Sequence, residues 1–299
     1  MKKVLFATTA LVATAGVAAA DVTFSGYSRF GVIYVDNGVT DSTDVTSRFR
    51  LQIDATAESD AGVTFGTRVR MQQNAGTSGT GFNGARFFAR SGGLEVGVGN
   101  IFGALEFMPG MYSIDLGLTG HSYDYTAYNF RGDAYSSGGC GSCADNGVEV
   151  MYSMGDLSVH VSASDFNDRV AGHIAYTFSG WTVALGLQDS SDDLDTEWAL
   201  GVEGSLGIAD LGFGYARNGD DNDVIGAGGG GDHWSLMARF DVGASTDVEV
   251  YVADADYFAE TSYGIDFNHN MGGGTSIRAG ISSTGDDRTL FDAGVRFNF

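Results

Sequence analysis

The sequence predicts an all-β protein, a transmembrane antiparallel up-and-down β-barrel of about sixteen strands. Three observations carry this. The 299 residues include a single Pro, where soluble chains average roughly 5%, and a sheet without free edges has almost no place for a residue lacking its N–H. Apolar and polar residues alternate with a period of two in segment after segment, with almost no helical periodicity. After residue 20 no apolar run approaches the roughly 18 to 20 residues a membrane helix needs, and the only other structure that spans a bilayer is a closed barrel.

Taken in order, residues 1–20 read as a cleaved signal peptide: Lys2 and Lys3, an apolar run, then Ala18, Ala19 and Ala20 before Asp21. Residues 21–299 then form one barrel domain. Its first strand sets Val22, Phe24, Phe30, Val32 and Tyr34 on one face and Thr23, Ser25, Tyr27 and Arg29 on the other. The second repeats this, with Phe49, Leu51, Ile53 and Ala55 against Arg48, Arg50, Gln52 and Asp54. Continuing gives strands at 22–34, 46–58, 62–73, 84–91, 93–100, 147–154, 156–164, 169–179, 181–189, 196–206, 210–217, 232–241, 246–254, 258–268, 274–283 and 289–299. The count is even, as bacterial single-chain barrels require, and tight turns alternate with longer polar loops, as expected of a periplasmic and an outer rim. Phe24 and Tyr34, ten residues apart on one face, and Phe178 and Trp181, bracketing a turn, suit two interfacial girdles. A soluble sandwich also alternates, but it leaves edges and usually carries more Pro.

The end of the chain, TLFDAGVRFNF, points Phe291, Ala293, Val295, Phe297 and Phe299 outward and Asp292, Arg296 and Asn298 inward. An end this apolar must be held in place, so the last strand is expected to pair with the first. Without Lys2 and Lys3, fourteen arginines face 38 acidic residues, a formal balance of −24. This argues against nucleic acid as a partner.

Residues 101–146 show little sustained alternation yet are rich in aromatic and apolar side chains, so they should pack against something. With a leader, sixteen short strands, a terminal Phe and a long loop opening GNIFGALEFMPG, the mature chain resembles the general diffusion porins of Gram-negative outer membranes, particularly the alphaproteobacterial (purple-bacterial) type. The resemblance implies that this third loop folds into the barrel as a constriction, and that three barrels associate as a homotrimer. The terminal Phe also resembles the signal read by the outer-membrane insertion machinery.

Seven of the fourteen arginines lie in residues 21–90, and the pleat puts Arg29, Arg48, Arg50, Arg68, Arg70, Arg86 and Arg90 all on inward faces. Counted from the turns, Arg29, Arg50 and Arg68 sit at similar depth. Like charges so gathered need water, counter-ions or an acidic partner. Glu106 and Asp115, in the first half of the long loop, are expected to stand across a narrow opening from Arg29, Arg48, Arg50, Arg68, Arg70 and Arg86, producing a transverse field. In the alternative, the arginines only brace the wall against inward neighbours such as Asp54 and Asp292.

Cys140 and Cys143, in a Gly/Ser-rich loop and an oxidising compartment, are expected to form a local disulfide. The acidic loop at Asp220, Asp221 and Asp223 offers hard oxygen ligands for Ca²⁺ or Mg²⁺, simple solvation being the alternative. No cofactor is required. His160 shares a face with Ser158, Ser162 and Ser164, but no oriented base and oxyanion site accompany them. The function expected is therefore passive passage of small hydrophilic solutes and ions, with outer-membrane lipid and lipopolysaccharide around the barrel. A solute-specific channel, an outer-membrane enzyme and a structural surface barrel are the alternatives.

Overall fold

A computed structural model describes residues 20–76, 81–128, 147–165, 168–189, 196–219 and 230–299. The leader expected at 1–20 lies outside these residues but for its last. Sixteen strands are described: β1 (Asp21–Asp36), β2 (Asp41–Glu58), β3 (Thr64–Asn74), β4 (Arg86–Ser91), β5 (Leu94–Gly99), β6 (Gly147–Met154), β7 (Leu157–Ser164), β8 (Arg169–Phe178), β9 (Trp181–Asp189), β10 (Glu197–Leu206), β11 (Ala209–Asn218), β12 (Gly231–Gly243), β13 (Thr246–Ala255), β14 (Ser262–Gly272), β15 (Thr275–Ser283) and β16 (Thr289–Asn298). Each pairs with its sequence neighbours, and β16 returns to β1, closing the barrel. The seam is antiparallel, with Arg29 opposite Arg296 and Tyr34 opposite Phe291. Gly26 and Phe299 exchange backbone hydrogen bonds at 2.9 and 3.0 Å, and the Phe299 ring stacks on Phe49 at 6.0 Å. The apolar end of the chain is thus held by the first two strands.

Register carries one parity around the ring. Phe24, Phe30, Leu187 and Ile265 lie on the outward parity and are each about half exposed or more. Ser235, Asp292 and Glu149, on the inward parity, are at most 1% exposed. Large apolar groups outside and charged groups inside invert the soluble arrangement and match what hydrocarbon on one side demands. Aromatic side chains gather toward both ends of the strands: Tyr176 stacks on Phe178 at 6.4 Å near one rim, and Trp198 meets Tyr215 at 5.0 Å toward the other.

The strand starts differ most at β2, which begins at Asp41 rather than at residue 46, and at β14, which begins at Ser262 rather than at residue 258. Phe258, expected within β14, lies outside it, its ring packed on His233 at 5.0 Å and on Tyr257 at 5.1 Å. Between β5 and β6, residues 100–128 contain no strand, only a single 3-10 turn at His121–Tyr123. Their apolar side chains settle in two clusters. Leu105, Met108, Met111, Ala127 and Tyr128 lie on Ala175, Ala184, Ala199 and Ala216, while Ile114, Leu116 and Tyr125 lie with Met237, Tyr251 and Ala253. The wall partners all have the parity that carries the arginines, and most are alanines, leaving room for the loop side chains.

Candidate functional site

A segment without a ladder must find partners for its backbone N–H and C=O groups elsewhere. Here carboxylates of the wall supply acceptors. Glu149 accepts from Phe102 N at 2.9 Å, Glu203 from Gly110 N at 3.1 Å, Glu249 from Asp115 N at 3.1 Å and Asp266 from Gly117 N at 2.6 Å. Asp292 accepts from Leu118 N, Thr119 N and Thr119 Oγ1 at 2.9, 2.8 and 2.6 Å. Wall donors take the carbonyls: His173 Nδ1 bonds Ala104 O, Arg29 donates to Leu118 O, His233 Nε2 bonds Asp124 O and Asn218 donates to Ala127 O. Bonds to charged groups are worth roughly 1.5–3 kcal/mol each, so the carboxylates fix the path of the loop.

Glycines make the approach possible. A β-carbon at Gly201 would stand 2.1 Å from the carbonyl oxygen of Pro109, and one at Gly280 would stand 2.9 Å from the Cα of Gly117. Further along, His121, Ser122 and Tyr123 all have left-handed φ, at 33°, 67° and 60°, a conformation uncommon for residues bearing a β-carbon. The buried His121 ring pins this turn: Nδ1 meets Ser282 Oγ at 2.9 Å and Nε2 lies 3.0 Å from Asp292 Oδ1.

The arginines expected on one wall are there, but their partners differ. Arg29 faces Arg48 in register, and Arg48 donates to Asn74 at 2.7 Å and Tyr27 at 3.0 Å. Arg50 donates to Gln72 at 2.6 Å and Arg70 to Gln52 at 3.0 Å. Arg68 pairs with Asp54 at 2.6 Å, as the wall-bracing alternative has it. Arg86 is buried between Glu95 and Glu149, both at 2.5 Å, and is thereby committed to the wall. In register Arg29 lies opposite Arg48, Arg50 opposite Tyr27 and Gln72, and Arg68 opposite Asp54 and Arg86.

Of the two loop carboxylates, Asp115 Oδ2 takes Arg296 Nη1 at 2.6 Å and Arg278 Nη1 at 3.0 Å. Neither of those arginines belongs to the expected set. Arg29 is nevertheless within electrostatic reach of Asp115 as well as of Arg48 and Tyr123. Glu106 is half-buried beside Phe107, whose ring touches Phe102 at 4.3 Å. Over Phe102 lie the guanidinium groups of Arg68 and Arg86, at 5.6 and 4.3 Å. Cys140, Cys143, Asp220, Asp221 and Asp223 lie outside the described residues. Sequence reasoning read Arg296 as inward without assigning it to the site, and missed Arg278 and the acceptors Glu149, Glu203, Glu249 and Asp266. The available signal was their inward parity.

A family model described as Gram-negative porin matches residues 7–289. The chain is 32% identical over 302 residues to a porin of Fuscovulum blasticum, covering 93% of this chain and 100% of that protein. It is 28% identical over 316 residues to a porin of Rhodobacter capsulatus, with the same coverage. A substituted form of Rh. blastica porin superposes with a TM-score of 0.82 at 27% identity, over 93% of this chain and 100% of that one. These relatives are porins, channels rather than enzymes. With its closed ring of sixteen strands, apolar outward parity and charged interior, the chain belongs to the Gram-negative porin family and forms a channel in the outer membrane.

Proposed function

We propose that the chain is a general diffusion channel, without covalent chemistry, whose passage is narrowed by residues 101–128 lying in the lumen. Arg29, Arg48, Arg50, Arg68 and Arg70 form one side of the narrowing. Asp115 and Glu106 stand opposite, with Arg86 bracing the wall behind. The single observation that carries this reading is Asp115: a loop carboxylate, about half exposed, that bridges the wall residues Arg278 and Arg296. Opposed charges across a low-dielectric opening orient water and dipolar solutes and disfavour apolar ones. Because local charge at the narrowest point is focused, it outweighs the net charge of the chain.

The test is ion selectivity. Reversal potentials across planar bilayers in a KCl gradient should shift toward cations when Arg48, Arg50 and Arg68 are replaced together by Gln. An unchanged reversal potential and conductance would mean that the arginines only brace the wall. Residues 1–20 are the cleaved leader in this reading, the disulfide joins Cys140 to Cys143, and the mature barrel is a homotrimer embedded in lipid and lipopolysaccharide. Small outward side chains on the first strands, Gly26, Ser28, Ser47, Ala55, Thr67 and Ala89, favour contact with protein over lipid there.

A further inference from the structure

Where the inner loop meets β12 and the connection from β13 to β14, a recess of about 290 Å³ remains. Its walls are mainly aromatic: Tyr112, Tyr123, Tyr128, Tyr257 and Phe258. Tyr112 and Tyr123 stand edge to face at 6.3 Å, and Tyr257 and Phe258 do so at 5.1 Å, so rings set at right angles bound the space. Asp124 lines it as well. Among the described lining residues it is the only acid, and none is an arginine.

The Asp124 carboxylate accepts from Ser262 Oγ and Gly285 N, both at 2.8 Å, and both donors are neutral. Arg288 lies within its electrostatic reach but pairs with Asp286 at 2.7 Å and donates to Ser122 Oγ at 3.4 Å. Among the described residues Asp124 therefore has no ion-pair partner. Burial holds its carboxyl above the ordinary value despite the two hydrogen bonds, so its charge is a cost to the chain alone that an arriving cation would offset. The surroundings are fixed in place. The Asp124 carbonyl takes His233 Nε2 at 2.9 Å, His233 Nδ1 meets the Tyr257 hydroxyl at 2.7 Å, and Tyr123 sits on the left-handed turn that His121 pins.

We propose that this recess is a subsite for small organic ammonium ions, the cationic head lying against the rings of Tyr123, Tyr257 and Phe258 with its charge toward Asp124. The proposal rests on the constriction reading above, which puts the recess beside the passage. Aromatic rings attract a cation, and more strongly where water is excluded; the carboxylate adds the counter-charge. A neutral solute of the same shape gains only the apolar contact. The volume lies at the lower end for ligand pockets, about 300 Å³, which limits the occupant to a few heavy atoms. Such a site must stay weak, because conduction requires that a solute leave as readily as it enters.

The probes are choline and its uncharged isostere 3,3-dimethylbutan-1-ol, titrated at pH 7.5 against the purified channel in octyl glucoside, a detergent without an ammonium group. Saturation-transfer NMR on the probe reads occupancy even when binding is weak. Choline should bind about tenfold more tightly than the alcohol, the ratio expected for a cation held by rings and a carboxylate at a partly wet site. D124N should bring choline close to the level of the alcohol. Y123L, which keeps an apolar side chain and removes the π face, should weaken choline and leave the alcohol nearly unchanged, and F258L puts the same question if Y123L fails to fold. Choline and the alcohol binding alike in the unsubstituted channel would overturn the proposal. So would undiminished choline binding in D124N, or in the leucine variant that folds. Occupancy in micelles is read without any current, whereas the reversal potentials of the arginine variant contain no organic cation, so failure of the constriction reading is registered separately.

Discussion

Asp115 and Arg296 meet at 2.6 Å although 181 positions separate them in the chain. The same carboxylate oxygen also takes Arg278, so one loop residue ties down two strands beside the seam. Asp115→Asn keeps the shape and removes the charge. Its reversal potential in a KCl gradient should move toward anions, because two guanidinium groups lose the carboxylate that they share. The pair is partly exposed, so the change in thermal stability should stay within about 1 kcal/mol.

Asp292 holds the loop at three points. Asp292→Ala leaves the N–H groups of Leu118 and Thr119 without their acceptor, each at a cost of roughly 1–3 kcal/mol. The barrel, secured by its ladders, should still form. The loop should come loose, and single-channel recordings should show increased current noise, whereas Asp292→Asn, which retains an acceptor oxygen, should be milder.

The Asp124 carboxyl in the long loop is held above its ordinary value of 3.8, chiefly by burial, against hydrogen bonds from Gly285 N and Ser262 Oγ. A raised folded value means that its contribution to stability is fully present below about pH 4 and is lost as pH rises through the folded value. Asp124→Asn should therefore match the unsubstituted protein near pH 4 and be relatively more stable toward pH 7. Heat-induced mobility shift on gels, run at both pH values, measures this.

Deleting Phe299 removes two backbone hydrogen bonds to Gly26 and the stack on Phe49. The seam should be weakened by about 1–3 kcal/mol from the hydrogen bonds alone. Refolding yield into detergent micelles should fall while the pore properties of the correctly folded fraction remain.

The barrel was legible because hydrocarbon and water impose a period of two that survives without any contact information. Alternation placed Arg29, Arg48, Arg50 and Arg68 on one face, and register bears that parity out. Partnerships were not legible, since they depend on stagger and on the path of a loop with no period. Asp115 could be singled out as the acidic residue of that loop, but its meeting with Arg278 and Arg296 needed the course of residues 101–128. Inward acids such as Glu249 and Asp266 look like solvated wall residues until the backbone they accept from is in place. Phe258 falls in the strand expected at 258–268, whereas the ladder starts only at Ser262 and the Phe258 ring packs on His233 instead.

The pairing of β1 with β16 means that the first strand to leave the ribosome has one of its two neighbours in the last. A chain that folds strand by strand therefore remains an open sheet with two bare edges until β16 is in place, and such edges invite aggregation. Any form that lacks β16 leaves β1 and β15 each with an unsatisfied edge.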